Sequence, residues 1–271
     1  MYFIIESGST KSDWVLVDNK NNQSFFSTMG FNPYFHSADV IEAELKKNTE
    51  IMQLAPGIKG LYFYGAGCSS PELNQIVEEG LRRIFVNASI LVEHDLLACA
   101  YSTYTGNPGI SCIIGTGSNS CFFDGQNLLE EVPALGYVLG DEGSGSYFGK
   151  QLLAAFLYHH LPAEIEADFI ASYQLDKDMI VDRVYREPNA NVYIAEMVYN
   201  GFKHFMKVHV CCYDNYQSTE VHFVGSLSKI FEKELHQAAA DLQIQIASII
   251  QKPVIGLVNY HLKYILKTET V

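Results

Sequence analysis

Two short turns of this chain carry the residue types that bind phosphate. Ser7–Thr10 lies between the first two predicted strands, and Gly115–Asn119 follows a later strand. Glycine lets a ligand approach the main chain closely, so backbone N–H groups and nearby hydroxyls can surround a phosphate group. One such turn alone is more often an ordinary hairpin loop. Two of them at matching places in two halves of a chain favour a clamp that holds a polyphosphate from both sides.

A third segment, Gly140–Ser146, places Asp141 and Glu142 directly before an amphipathic helix. This composition also fits plain helix capping beside a solvated pair of acids. Three glycines within six residues are more than a cap requires, however. Their density, next to the free N–H groups and the positive dipole end of the helix, predicts the close approach of a ligand.

Asp95 and the Gly225-Ser226 step each follow an apolar strand. Open α/β sheets bind ligands at the carboxyl ends of their strands. A carboxylate at position 95 could accept the proton of a substrate hydroxyl while that oxygen attacks phosphorus, although a simple helix cap is the alternative. Gly225, at the start of a helix, would let a flat ring or a phosphate pack on the backbone.

The elements predicted to position these residues follow one pattern that occurs twice. Strands at 2–6, 13–18 and 23–28 form a meander, and a helix over 37–54, a strand at 60–64, a helix near 71–85, a strand at 90–92 and a helix from Asp95 follow it. The pattern restarts with strands at 110–114, 121–123 and around 127–132. Helices near 144–160, 164–173 and 190–209, a strand at 221–224, a helix over 226–242, and a last strand and helix around 253–267 come next. We therefore predict an α/β fold of two facing halves, related by duplication and divided near Thr105–Gly109.

The composition excludes several classes of function. The chain has 271 residues, and 18 Lys and Arg against 31 Asp and Glu give a net charge of -13, so it offers no basic surface for nucleic acid or anionic lipid. No apolar stretch approaches the roughly 18 residues of a membrane span. The six cysteines never form a CxxC pair, which favours the reduced thiols of a cytoplasmic protein over a zinc or iron–sulfur site.

Taken in order, the five segments resemble the actin, hexokinase and Hsp70 ATPase superfamily, and within it the N-acetylglucosamine kinase branch of the BadF/BadG-type ATPases. The resemblance extends over nearly the whole chain, and Gly140–Ser144 is its most specific signature. It implies two ribonuclease H-like βββαβα domains, over residues 1–107 and 108–271, that face a nucleotide cleft. It also implies ATP and Mg²⁺ as cofactors.

The same resemblance gives roles to individual residues. Asp95 would be the catalytic base and would also bind the sugar, and Glu6 would approach Mg²⁺ through water. The ATP-binding residues would be Ser7, Gly8, Ser9, Thr10, Lys11, Gly115, Thr116, Gly117, Gly225 and Ser226. The other sugar-binding residues would be Asn32, in the loop Gly30–Pro33, with Ser118, Asn119, Gly136, Tyr137 and Asp141.

Three features depart from the pattern of the resembled proteins. Glu6 stands where many superfamily members carry Asp, and its longer side chain changes how a carboxylate reaches Mg²⁺. The stretch Ile194–Phe202 is shorter than in relatives, as if a helical segment were missing after Val198. The cysteine arrangement with which the iron–sulfur activators of this family hold a cluster does not occur in the sequence.

The resemblance therefore implies a kinase that transfers the γ-phosphoryl group of ATP to an amino sugar, with the 6-hydroxyl of N-acetylglucosamine as the acceptor. Glucosamine, N-acetylmannosamine, muramic derivatives and glucose stay open as acceptors. An ATPase that drives a partner protein and a sugar sensor without catalysis are the two rival functions. The apolar face of the C-terminal helix suits either its own domain or a second copy of the chain, which leaves a homodimer open.

Overall fold

The computed structural model describes residues 1–172 and 192–266, which form two compact units. The first unit contains Met1–Thr103 and the C-terminal segment that begins at Pro253. The second unit is Tyr104–Lys252. The chain thus leaves the first unit just before the turn Thr105–Gly109.

The first unit is built on a five-stranded mixed sheet of order β3-β2-β1-β4-β5. Strands β1 (Tyr2–Ser7), β2 (Lys11–Val17) and β3 (Gln23–Met29) form an antiparallel meander, while β4 (Gly60–Gly65) and β5 (Ser89–His94) run parallel to β1. Its helices are α1 (Ala38–Lys47), α2 (Thr49–Leu54), α3 (Pro71–Arg82) and α4 (Asp95–Thr103), with a 3-10 turn at Ala55–Gly57. Because β1, β4 and β5 share one direction, their carboxyl ends meet at the same edge of the sheet.

The second unit repeats this plan with the order β10-β9-β6-β7-β8. Its strands are β6 (Gly109–Ile114), β7 (Ser118–Phe123), β8 (Leu128–Leu129), β9 (Glu220–Val224) and β10 (Ile246–Ile250). Its helices are α5 (Gly136–Leu139), α6 (Gly145–Leu157), α7 (Ala163–Ser172), α8 (Val192–His209), α9 (Ser226–Ile230) and α10 (Glu232–Asp241), with a 3-10 turn at Tyr216–Ser218. Taken from opposite edges, both sheets have the order third, second, first, fourth and fifth strand, so the predicted repeat of the pattern and the α/β class are confirmed.

Three predicted elements differ from the structure. The helix expected over 37–54 is split at Asn48, whose extended backbone ends α1 and whose Oδ1 accepts the N–H of Ile51 at 3.1 Å to cap α2. The helix expected over 226–242 is likewise split, at Phe231. The last strand lies at Ile246–Ile250, parallel to β9, and not near residue 253. Residues 173, 190–191 and 267 of the predicted helices lie outside the described residues.

Helix α8 runs without interruption through the place where the sequence suggested a missing segment. Val198 is fully buried and Tyr199 follows it within the same helix. The side chains of Val198, Phe202 and Phe205 pack into the core of the second unit. The spacing of its buried residues therefore fits one regular helix.

The C-terminal helix α11 (Val254–Tyr260) packs on the first unit, whereas we expected it in the second domain. Leu257 and Val258 are fully buried against the sheet face that carries Ile4 and Val15. At Gly256 a Cβ atom would lie 2.3 Å from the carbonyl oxygen of Ser102 in α4, so the two helices cross in close contact. The apolar face of α11 is therefore covered within the chain itself.

A buried histidine fixes the end of this C-terminal segment. His261 begins the π-helical turn His261–Ile265, is fully buried, and its Nε2 lies 2.8 Å from the hydroxyl of Tyr64 in β4. Its Nδ1 has no hydrogen-bond partner among the described residues. Burial lowers the pKa of His261 to about 4.

We expect the free energy of unfolding to fall as the pH drops from 6.5 toward 4. The unfolded state takes up a proton on His261 near pH 6.5, whereas the folded state does so only near pH 4. The stabilisation that comes from the neutral, buried ring is therefore complete above pH 6.5 and is lost as the pH falls below it. The loss should be on the order of 3 kcal/mol. Urea denaturation at pH 7 and pH 4.5 should show a smaller loss in His261→Gln, whose amide can still bond Tyr64. Equal losses in both proteins would contradict the assignment.

Candidate active site

The first predicted phosphate loop lies at the tip of the β1–β2 hairpin. Ser7 and Ser12 face each other across the ladder, and the Gly8 N–H donates to the carbonyl of Lys11 at 2.9 Å. The Ser7 hydroxyl is fully buried, where it accepts hydrogen bonds from Ser12 Oγ at 2.7 Å and from the N–H of Phe31 at 2.9 Å. Ser7 therefore holds the loop in place from the inside, and the loop residues from Gly8 onward are the accessible ones.

Gly30 lets the next loop pack directly on this phosphate loop. Its N–H donates to the carbonyl of Thr10 at 2.9 Å. A Cβ atom at position 30 would lie 2.1 Å from the carbonyl oxygen of Gly8 and 2.6 Å from the carbonyl carbon of Ser9. The backbone contact thus excludes any side chain at this position.

Asn32, the predicted sugar ligand, is bonded to the phosphate loop. Its Nδ2 donates to Ser9 Oγ at 3.2 Å, and its Oδ1 accepts the N–H of Tyr34 at 3.0 Å. Gly67, in the loop after β4, has a φ of +83°, and a Cβ atom there would lie 2.5 Å from Asn32 Oδ1. The structure therefore brings three loops together around Asn32. In the sequence, Asn32 and Ser9 belong to two separate motifs.

Two carboxylates lie at the shared edge of β1, β4 and β5. Glu6 is paired with Tyr64 of β4, and Asp95 is the first residue of α4 directly after β5. Burial, followed by the negative charges of Asp95 and Asp13, raises the pKa of Glu6 to about 8, while Lys11 lowers it. The Lys11 ammonium forms an ion pair with Asp13. The charges at this edge are thus only partly compensated by the chain itself.

This edge fits a divalent cation that is bound mainly through water and phosphate oxygens. Among residues 1–172 and 192–266, no three His, Cys, Asp or Glu side chains form a group that could hold a metal ion directly. Mg²⁺ commonly keeps several waters and takes one or two protein carboxylates with substrate phosphates. Glu6 is the residue that would suit such an ion, because burial and the nearby charges of Asp95 and Asp13 raise its pKa and a bound cation would stabilise its carboxylate form.

The second predicted phosphate loop is tied to the start of α6. The carbonyl of Gly115 accepts the N–H of Gly145 at 2.9 Å, and the carbonyl of Thr116 accepts that of Ser146 at 3.0 Å. The N–H of Tyr147 donates to Ser144 Oγ at 3.2 Å. These first amides of α6 are therefore not free for a ligand, which corrects the expectation of free N–H groups at this helix start. They position the second loop instead.

Asp141 and Ser118, both predicted sugar ligands, are in direct contact. Asp141 Oδ1 accepts the N–H of Ser118 at 3.2 Å and lies against Gly117, and Ser118 Oγ donates to the carbonyl of Glu142 at 2.8 Å. Burial raises the pKa of Asp141, with the Ser118 N–H and the Lys150 charge opposing it. Asp141 also has a left-handed backbone, with a φ of +57°. A strained polar residue held by several contacts is typical of a binding site.

The remaining predicted sugar ligands lie around this contact. Asn119 is buried, and it donates from Nδ2 to Glu130 Oε2 at 3.3 Å and accepts the N–H of Ser120 at 2.8 Å. Gly136 and Tyr137 lie in α5, where the carbonyl and the ring of Tyr137 both contact the ammonium of Lys150. The same ammonium lowers the pKa of Asp141. Sequence reasoning missed Lys150, because a single lysine within an amphipathic helix carries no distinguishing signal.

Gly225, the predicted adenosine glycine, adjoins the second phosphate loop. Its φ is +133°, and a Cβ atom there would lie 2.1 Å from the carbonyl oxygen of Ile114 and 3.4 Å from the nitrogen of Gly115. Its N–H donates to the carbonyl of Ile250 at 2.9 Å. Only glycine fits this position, and Ser226 begins α9 directly after it.

Three solved structures are similar to this chain along nearly its whole length. A putative N-acetylglucosamine kinase from Porphyromonas gingivalis has 32% sequence identity and a TM-score of 0.84, over 96% of this chain and 98% of that chain. A putative N-acetylglucosamine kinase from Chromobacterium violaceum has 13% identity and a TM-score of 0.70, over 96% and 98%. A ROK family glucokinase from Streptomyces griseus, in complex with glucose and AMPPNP, has 14% identity and a TM-score of 0.64, over 95% and 97%. At such identities the last two show a shared fold.

No protein-family model matches the chain, and no curated protein matches it either. Membership of the BadF/BadG family therefore stays a prediction. Along residues 1–172 and 192–266, none of the helices combines the length and the apolar character that crossing a membrane requires.

Proposed function

The chain belongs to the family of the putative N-acetylglucosamine kinase from Porphyromonas gingivalis, and on this basis we propose that it is an ATP-dependent sugar kinase. The acceptor in this proposal is the 6-hydroxyl group of N-acetylglucosamine. The residues proposed to act are those assigned above by resemblance. The local geometry of each unit supports their roles separately.

The hydrogen bond between Asn32 and Ser9 is the observation that carries the proposal. It joins the residue proposed to bind the sugar to the loop proposed to bind phosphate. Phosphoryl transfer depends on holding the donor and the acceptor side by side in a fixed geometry. A partner-driven ATPase would have no need for a buried amide in this place.

The phosphate groups would be bound by backbone N–H groups and hydroxyls of the two loops. In the first unit these belong to Ser9, Thr10 and Lys11, which Gly30 and Ser7 hold in position, while the Gly8 N–H closes the loop on the carbonyl of Lys11. In the second unit they belong to Thr116 and Gly117, while the Gly115 N–H closes the loop on the carbonyl of Gly117. Gly225 and Ser226 are proposed for adenosine. Mg²⁺ near Glu6 would neutralise phosphate charge that a chain with a net charge of -13 does not balance well.

Asp95 would act as the general base. Its carboxylate would accept the proton of the sugar hydroxyl as the oxygen attacks the γ-phosphorus. Asn32, Ser118, Asn119 and Asp141 would orient the sugar ring through its other hydroxyls and its acetamido group. Tyr137 and Gly136 are proposed for the same binding surface.

A coupled assay of ADP release from Mg-ATP tests this function. We expect turnover with N-acetylglucosamine that exceeds the rate without sugar by at least about 100-fold, since exclusion of water and orientation of the acceptor favour transfer over hydrolysis. The panel should also contain glucosamine, N-acetylmannosamine, N-acetylmuramic acid and glucose. Equal ADP release with and without every sugar would instead favour the partner-driven ATPase. ATP binding without any turnover would favour the sugar sensor.

A further inference from the structure

A histidine that belongs to no sequence motif contacts the turn that carries Asp141. His209, the last residue of α8, has its Nε2 3.2 Å from Glu142 Oε2, and only 2% of its side chain is exposed. Its ring stacks on Phe205 with the centroids 4.9 Å apart. Its carbonyl accepts a hydrogen bond from Ser120 Oγ at 2.6 Å. The ring and the backbone of His209 are thus both fixed.

The second ring nitrogen of His209 identifies the tautomer. Nδ1 is buried and has no hydrogen-bond partner among the described residues. A buried N–H without an acceptor costs more than a buried lone pair without a donor, so the proton belongs on Nε2. Nε2–H then donates to the carboxylate of Glu142. Burial also lowers the pKa of His209, which keeps the ring neutral.

The contacted turn is strained at Asp141. Asp141 and Gly143 both have positive φ, at +57° and +67°, and Gly143 packs against the carbonyl of Gly201 and the Cβ of Phe205. From the other side, Ser118 bonds both Asp141 and the carbonyl of Glu142. Glu142 is therefore hydrogen-bonded at its backbone carbonyl by Ser118 and at its side chain by His209. A non-glycine residue in the left-handed region persists only where such contacts determine its conformation.

We propose that His209 is a positioning residue for sugar binding: by holding the Glu142 side chain, it keeps the adjacent Asp141 carboxylate in the orientation that accepts sugar hydroxyls. The proposal rests on the sugar kinase function proposed above and names a further residue of the same site. A neutral donor suits this task because it orients Glu142 and adds no positive charge beside Asp141. The acceptor strength of the Asp141 carboxylate is then preserved.

His209→Leu tests the proposal, with His209→Gln as the conservative variant that can still donate to Glu142. We expect His209→Leu to raise the KM for N-acetylglucosamine about tenfold, with kcat within about threefold and the KM for ATP within about twofold of wild type. His209→Gln should recover most of the sugar affinity. A loss that arises from destabilisation alone would not be divided in this way between the two substrates.

His222 provides a matched control in the same unit. It is also buried, its Nδ1 lies 2.8 Å from Ser248 Oγ, and its Nε2 lies 3.7 Å from Glu220. His222→Leu removes a comparable buried ring, and we expect it to lower Tm without changing the KM for the sugar. An equal rise in sugar KM in both Leu variants would overturn the proposal.

Hydrogen exchange of the backbone amides from Gly143 to Tyr147 gives a readout that does not depend on turnover. We expect exchange there to be about tenfold faster in His209→Leu and unchanged in His209→Gln and His222→Leu. Unchanged exchange and an unchanged sugar KM in His209→Leu would overturn the positioning role. If the wild-type protein phosphorylated no sugar, the proposed function would fail, and the role of His209 in sugar binding would fail with it. Accelerated exchange in His209→Leu would then show only that His209 supports the turn.

Discussion

Replacing Asp95 with Asn should lower kcat for sugar phosphorylation by about 10²–10⁴-fold, the range expected for removal of a general base. Asn has nearly the same shape as Asp, so the start of α4 should be preserved. Its amide does not accept a proton at neutral pH, and the sugar hydroxyl would then attack without a base. The dissociation constant for ATP, measured by calorimetry, should stay within about threefold of wild type.

Glu93→Gln is the matched control for Asp95→Asn. Glu93 lies in β5, two residues before Asp95, and pairs with Tyr64 of β4. The substitution removes the same negative charge close to the same sheet edge. We expect kcat to stay within about threefold of wild type, since Glu93 is not proposed to meet the substrate. A large loss in both variants would indicate a general electrostatic effect, and near-normal turnover of Asp95→Asn would remove Asp95 from the mechanism.

Replacing Gly30 with Ala should disrupt both the phosphate loop and the sugar loop of the first unit. The added Cβ atom would lie 2.1 Å from the carbonyl oxygen of Gly8 and 2.8 Å from the nitrogen of Lys11, so the backbone of one loop has to move. Overpacking of this kind costs about 1–3 kcal/mol. The displacement should also raise the KM values for ATP and for the sugar at least about tenfold, because phosphoryl transfer requires both substrates to be held in a fixed position relative to each other.

Gly8→Ala is the control for Gly30→Ala, because it adds the same methyl group to the phosphate loop without displacing the backbone. The nearest atom to a Cβ at position 8 is the carbonyl oxygen of Lys11 at 3.7 Å, which is an ordinary contact distance. We therefore expect the Tm of Gly8→Ala to lie within about 2 °C of wild type, and that of Gly30→Ala to fall by about 5 °C. Equal Tm values for wild type and Gly30→Ala would contradict the close packing of the two loops.

The repeated pattern of elements could be predicted from the sequence because its signals are local. Strands of alternating or apolar character, interrupted by Gly- and Ser-rich turns, gave both meanders and the strands that follow them. The rule on carboxyl ends of strands placed Asp95 at a ligand-binding edge of the sheet, and in the structure its charge there helps to raise the pKa of Glu6. Family resemblance gave Asn32 and Ser9 their separate roles, but their hydrogen bond is seen only in the structure, since residues more than twenty positions apart have no local signal that joins them.

Other features depend on tertiary contacts that the sequence does not encode locally. Ser7 belongs to a phosphate-binding pattern, yet its hydroxyl is buried and accepts hydrogen bonds from Ser12 Oγ and the Phe31 N–H. The glycines of Gly140–Ser146 suggested free N–H groups at the start of α6. In the structure these N–H groups donate hydrogen bonds to carbonyls of the second phosphate loop. The apolar face of α11 was recognised, but periodicity does not say which surface covers it. His209 had no motif, since its role arises from the end of a helix meeting a distant turn.

Stoichiometric product analysis tests the central claim most directly. The protein is incubated with Mg-ATP and N-acetylglucosamine, and ADP, inorganic phosphate and sugar phosphate are quantified by ³¹P NMR and mass spectrometry. We expect one N-acetylglucosamine 6-phosphate for each ADP formed, with little inorganic phosphate, since the γ-phosphoryl group passes to the sugar hydroxyl. ADP accompanied by an equal amount of inorganic phosphate and no sugar phosphate would contradict the assignment as a sugar kinase.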